Sequence, residues 1–129
     1  RRRRGGFRTY MYQMTETERK FAELIWENEP VGSGELVRLC EEQFGWKKST
    51  TYTFLKKLCK HEIFQNKEYS VSSLVDRESY DQQQGEKFVE ETYGGSLPKM
   101  VAAFMVHKKL TRQQVEEIRG LIDNYEKKL

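Results

Sequence analysis

The stretch Trp46-Lys47-Lys48-Ser49-Thr50-Thr51-Tyr52-Thr53-Phe54-Leu55-Lys56-Lys57-Leu58 carries two patterns at once. Thr51, Phe54, Leu55 and Leu58 recur at i, i+3, i+4 and i+7, the buried stripe of a helix. Thr50, Tyr52, Thr53, Lys56 and Lys57 fall on the other face, and Lys47, Lys48 and Ser49 lead into it. From Lys47 to His61 there are five lysines and no acid. An apolar back with a hydroxyl-and-lysine front suits insertion into a DNA major groove. Lysine meets phosphate there, and Ser, Thr and Tyr reach base edges or backbone oxygens. Taken alone, the same helix is equally consistent with a solvated amphipathic surface helix.

Its surroundings favour the DNA reading. Thr15-Glu16-Thr17-Glu18 spells a capping box, with Thr15 as N-cap and Glu18 at N3. Phe21, Leu24 and Ile25 follow as a core stripe, and Glu29-Pro30 closes that helix. Ser33 is the expected cap of a second helix whose Leu36, Val37, Leu39 and Cys40 face inward, with Gly45 as its stop. The lysine-rich helix follows directly, which gives a helix-turn-helix with its last helix as reader. Ile63-Phe64-Gln65 and Tyr69-Ser70-Val71-Ser72 are strand-like. Joined through Asn66-Lys67-Glu68, they make a stubby wing with Lys67 at its tip.

The C-terminal half reads as a dimerisation unit. Asp76 or Ser79 opens a helix whose sparse inner face is Tyr80, Gln84, Phe88 and Thr92, and Gly94-Gly95 breaks it. Ser96 caps the next helix, with Pro98 in its first turn and Leu97, Met100, Val101 and Phe104 as its stripe. Thr111 and Gln114 form a second capping box ahead of Val115, Ile118, Leu121, Ile122 and Tyr125. Two short amphipathic helices need a partner for those stripes, and pairing with a second copy supplies it. An intramolecular cap on a monomer is the alternative. The expected pairing residues are Tyr80, Phe88, Leu97, Val101, Phe104, Val115, Ile118, Leu121, Ile122 and Tyr125.

The expected fold class is therefore mainly α with a small β-hairpin wing: a winged helix-turn-helix over residues 14–75 and a helical dimerisation unit over 76–129. Residues 1–13 are expected to stand outside it, as a disordered basic arm or as upstream sequence with Met11 or Met14 as the first native residue. The formal charge of +3 includes Arg1, Arg2, Arg3, Arg4 and Arg8; without those five it is 3 − 5 = −2. Positive charge is thus concentrated on the reader helix, which favours a local DNA footprint over non-specific coating.

Catalytic chemistry is not indicated. Cys59-Lys60-His61 offers two metal ligands, and no second Cys/His pair completes a zinc spacing, so no metal site is expected. Gly94-Gly95 lacks the context of a phosphate loop, and no nucleophile–base spacing stands out. Neither enzymatic activity nor a cofactor is expected. No apolar run approaches a membrane span, and Cys40 and Cys59 suggest no disulfide framework, so a cytoplasmic, reduced protein is the expectation.

The run from Thr15 to Tyr125 resembles the BlaI/MecI/CopY family of bacterial winged-helix repressors, the penicillinase-repressor family. The matching pieces are Leu24-Ile25-Trp26-Glu27, the Trp46-to-Leu58 helix, Ser73-Leu74-Val75-Asp76-Arg77-Glu78-Ser79-Tyr80, Tyr93-Gly94-Gly95-Ser96-Leu97 and the amphipathic tail Leu110 to Tyr125. The resemblance implies a homodimer on double-stranded operator DNA that represses an antibiotic-resistance or stress-response operon. It also implies relief of repression by cleavage, set off by a membrane sensor-protease system. Two departures stand out. The paired C-terminal cysteines of copper-responsive members are missing. The Asn-Phe bond cut in β-lactam-responsive members aligns on Ala103-Phe104, which keeps only the Phe. Two functions of different class follow from the residues: a sequence-specific DNA-binding repressor, and a winged-helix protein-interaction module that does not bind DNA.

Overall fold

A computed structural model describes residues 10–129. Expectations for residues 1–9, the arginine-rich start included, lie outside the described residues. The chain divides into two compact units within a long helix, at Gly85. The division lies beyond the expected boundary after residue 75.

The first unit contains helix α1 (Glu16–Asn28), strand β1 (Val31–Gly32), helices α2 (Ser33–Phe44) and α3 (Lys48–Lys60), strands β2 (Phe64–Lys67) and β3 (Ser70–Ser73), and the start of α4 (Arg77–Tyr93). The capping box at α1 is formed in both directions: Glu18 N–H donates to Thr15 Oγ1 at 3.2 Å, and Thr15 N–H donates to Glu18 Oε1 at 2.9 Å. Gly45 ends α2 in the left-handed region at φ 70°, where its N–H reaches the Glu41 carbonyl at 2.9 Å. Glycine alone adopts that backbone without a Cβ penalty. Ser33 is the first residue of α2 and not its cap. Gly32 occupies the cap position without a side-chain bond, and Ser33 N–H donates to the Tyr69 carbonyl at 2.8 Å.

The sheet is antiparallel in the order β1-β3-β2. β1 was not expected, because two residues between Pro30 and Ser33 are too few to show alternation. The wing also differs from expectation at its tip. Asn66 and Lys67 extend β2, Lys67 pairs with Ser70, and the turn is Glu68-Tyr69. Both turn residues have positive φ, 50° and 66°, as two-residue hairpin turns that match strand twist require. The register buries Phe64 and Val71 on the core side, and this fixes it in spite of the poor strand propensity of Asn and Lys.

The core of this unit lies between α1, α2, α3 and the sheet. Phe21, Ile25, Leu36, Cys40, Leu58, Ile63, Phe64 and Val71 are fully buried. Trp46 closes the turn before α3, with ring centroids 4.3 Å from Phe54 and 4.8 Å from Phe44. Tyr80, expected on the pairing face, is instead part of this core at 3% exposure. Its hydroxyl donates to the Tyr12 carbonyl at 3.0 Å and accepts from Met14 N–H at 2.7 Å, and its ring lies 6.1 Å from Trp26. Residues 10–13, expected to have no place in the fold, pack here as well: Met11 and Tyr12 are half-buried against the core, and Met11 N–H donates to Gln83 Oε1.

The second unit holds the rest of α4, α5 (Leu97–Val106) and α6 (Arg112–Glu126). Gly94 and Gly95 break α4 at φ 60° and 84°. Ser96 Oγ accepts from Lys99 N–H at 3.1 Å to start α5, and Thr111 and Gln114 form the expected reciprocal box at the start of α6. No residue from 86 to 129 is buried. Phe88, Leu97, Phe104, Leu121, Ile122 and Tyr125 are exposed, and Val101, Val115 and Ile118 are only partly covered. Among the described residues no helix is long and apolar enough to cross a membrane.

Candidate nucleic-acid interface

α3 turns its expected back inward: Thr51, Leu55 and Leu58 are buried and Phe54 is partly so. Its outermost line is Ser49, Thr53, Lys56 and Lys60, at i, i+4, i+7 and i+11, all exposed. Thr53 Oγ1 donates to the Ser49 carbonyl at 2.9 Å, which leaves its lone pairs free to accept from solvent or a ligand. Lys47 and Lys48 are exposed at the N-terminal end, where the helix dipole adds positive potential for a phosphate.

The other expected residues are divided between the flanks. Thr50 is half-buried. Tyr52 leans toward the wing and helps line a groove of about 320 Å³ with Leu55, Lys56, Cys59 and Asn66. Cys59 is half-buried there, and burial pushes its thiol up, so it is a poor nucleophile. Lys67 is exposed on β2, one residue before the turn, and Tyr69 at the turn is 82% exposed. Lys57, expected on the DNA face, points the other way: its Nζ lies 2.8 Å from Glu18 Oε2 on α1 and 5.5 Å from the centre of the Tyr12 ring. Its charge is matched inside the unit.

Sequence reasoning missed Lys60 as part of the outer line, although its i+11 spacing from Ser49 could have found it. It also missed Tyr69 as a turn residue, for which no sequence signal exists, since neither Glu nor Tyr favours positive φ. On α2, Arg38 is bracketed by Glu35 and Glu42 at 2.5 Å each, so that helix offers no free positive charge beside the α3 line.

Glu18 anchors this arrangement. Burial alone would raise its pKa, but hydrogen bonds from Lys57, Thr15 N–H and Tyr12 Oη, with the lysine charge, outweigh burial and hold it at about 2, against an ordinary 4.5. A depressed carboxylate contributes stability above its unfolded pKa, and that contribution is lost as pH falls from about 4.5 towards about 2. Glu18→Gln should therefore remove part of the acid sensitivity between pH 5 and pH 3. The difference from the unmutated protein across that interval should be on the order of 1 kcal/mol, allowing for solvent screening at the half-exposed lysine. Urea unfolding at both pH values measures it, and equal pH dependence in the two proteins would refute the assignment.

Comparison with known proteins places the chain in a family. The penicillinase repressor family model matches residues 14–124, most of the chain. A penicillinase repressor of Bacillus licheniformis is 19% identical over 117 residues, covering 88% of this chain and 91% of that protein. One of Staphylococcus aureus is 24% identical over 109 residues, covering 81% and 86%. The matched region runs from the residue before the α1 cap almost to the end of α6 and takes in both units, so the chain belongs to the penicillinase repressor family.

Proposed function

We propose that this protein is a cytoplasmic transcriptional repressor that binds double-stranded operator DNA as a homodimer and inserts α3 into the major groove. The observation that carries the reading is the exposed Ser49-Thr53-Lys56-Lys60 line, backed by a packed core and free of acidic residues. Lysines along it and at Lys47, Lys48 and Lys67 supply phosphate contacts; Ser49 and Thr53 are the base readers, with Thr50 and Tyr52 at the edges of the contact. The second unit supports the dimer, because it has no buried residue and leaves apolar side chains on α5 and α6 uncovered. Relatives named as penicillinase repressors support a β-lactam-resistance operon as the regulated target.

Each half-site then binds weakly and the second is engaged at high effective concentration, so occupancy depends on the C-terminal unit. Severing that unit induces the operon without touching α3. Cleavage set off by a membrane sensor-protease, as the resemblance to β-lactam-responsive members implies, is the proposed route to this. Here the aligned Ala103-Phe104 bond lies inside α5, and a protease gains access only after local unfolding. Phe104 is 44% exposed in the single chain, so a large packing loss on its truncation is not expected without the partner copy.

A binding titration of the full chain on DNA from upstream of its own gene and on a shuffled duplex, at two salt concentrations, tests the reading. Lys56→Ala or Lys60→Ala should weaken both duplexes and lower the salt slope by about 1.8 each, about 0.9 for each copy in the dimer. Thr53→Ala should cost roughly 1–3 kcal/mol on the cognate duplex only. If the protein binds neither duplex, the winged helix is a protein-interaction module.

A further inference from the structure

Lys57 and the α3 cap residue His61 stand at i and i+4 on one side of the helix, away from the exposed line, and Tyr12 from the segment preceding α1 lies against both. The Tyr12 ring stacks on His61 with centroids 3.9 Å apart and planes 7° from parallel. The Tyr12 hydroxyl donates to Glu18 Oε1 at 2.8 Å, while Lys57 meets the other oxygen of that carboxylate at the same distance. The Glu18 side chain is 4% exposed and is fixed from a third direction by Thr15 N–H. The Tyr12 backbone is pinned in turn by the Tyr80 hydroxyl, which also holds Met14 N–H. One tyrosine thus ties the C-terminal half of α3 to the start of α1 and to α4.

We propose that residues 10–14 form a strap that sets the docking angle of α3, and that Lys57 is a positioning residue acting through Glu18 and Tyr12 rather than a phosphate ligand. The inference rests on the DNA-reading role assigned to α3. Docking of a recognition helix places a few side chains against base edges, so a small rotation of α3 removes base contacts before it removes phosphate contacts. The strap therefore governs discrimination more than total affinity. A lysine already facing a buried carboxylate releases no DNA counterion, because it neutralises no phosphate.

The test compares Lys57→Ala, Tyr12→Phe, the double variant and Lys56→Ala in the full chain. Affinity for the cognate and the shuffled duplex is measured across a salt series, and a thermal melt establishes that each variant is folded. Tyr12→Phe keeps the ring on His61 and removes only the hydroxyl bond to Glu18, so it serves if Lys57→Ala folds poorly. Lys57→Ala and Tyr12→Phe should each lower cognate affinity, on the order of tenfold for Lys57→Ala. Both should leave shuffled-duplex affinity and the salt slope unchanged. The double variant should be no worse than the weaker-binding single one, since both act through one carboxylate. Lys56→Ala should lower the slope. If Lys57→Ala lowers the slope by about 1.8 as Lys56→Ala does, Lys57 is a phosphate ligand and the strap proposal fails while the DNA reading stands. If the unmutated protein and Lys56→Ala show no DNA binding at all, both fail together.

Discussion

Replacing Leu121 and Ile122 together by Asp is expected to yield a monomeric protein whose operator affinity is lower by about 10²–10⁴-fold. Both residues lie on α6, at 69% and 58% exposure in the single chain. Leu121 helps line a groove of about 690 Å³ with Leu110, Gln114, Glu117, Ile118, Gly120 and Asn124, and Gly120 has no side chain to block close approach. If a second copy covers this face, two carboxylates placed there meet apolar side chains without partners, and burying such charges costs far more than the lost apolar area. If the face stays in solvent, the same substitutions cost only helix propensity, a few tenths of a kcal/mol each. Assembly and propensity are thus separated by magnitude. Analytical ultracentrifugation at micromolar concentration checks the first effect and an operator titration the second. An unmutated protein that sediments as a monomer would contradict the dimer.

The second large effect is expected at Tyr80. Truncation to Ala removes a ring at 3% exposure from beside Trp26 and leaves Met14 N–H and the Tyr12 carbonyl without their common partner. The cost should be roughly 3–5 kcal/mol, a large share of the stability of a small domain. Tyr80→Phe should recover the packing part of it and lose only the hydroxyl bonds, about 1–3 kcal/mol. Trp26 and Trp46, the two tryptophans of the chain, both belong to the first unit, so their fluorescence during urea unfolding reports on that unit alone. The Tyr80→Ala protein should unfold at lower urea and remain dimeric at concentrations where it is folded. Loss of the dimer with an unchanged tryptophan transition would return Tyr80 to the pairing face.

Tyr80 also shows where sequence reading stopped. Tyr80, Gln84, Phe88 and Thr92 share one side of a helix, and periodicity correctly groups them. Periodicity does not say that the first of these meets the core of one unit while Phe88, in the other, stays 50% exposed. The same holds for α3. The 3.6-residue repeat identified the buried stripe and the acid-free front. Which front lysine faces solvent and which faces Glu18 depends on where α1 and Tyr12 lie, and only tertiary packing decides that. Local signals succeeded where the chemistry is local: the capping boxes at Thr15 and Thr111, the left-handed Gly45 and the Gly94-Gly95 break all stand where their residue types placed them. They failed where a long-range contact overrode propensity. β1 exists because Val31 and Gly32 pair with β3. Asn66 and Lys67 lie in a strand because the buried positions of Phe64 and Val71 fix the register. Met11 and Tyr12, unremarkable in sequence, are held by Glu18 on α1, Lys57 on α3 and Gln83 on α4.

The central claim is that one face of α3, with the wing beside it, reads DNA. A nuclear magnetic resonance titration of the isotope-labelled full chain with its cognate duplex tests this most directly, because every backbone amide reports its own surroundings. The account predicts that the shifts concentrate on residues 47–53, on Lys56 and Lys60, and on the hairpin at 66–69, with Leu36 and Cys40 on the inner side of α2 little changed. Shifts confined to the exposed faces of α1 and α2, or a spectrum unchanged by saturating duplex at low salt, would contradict it.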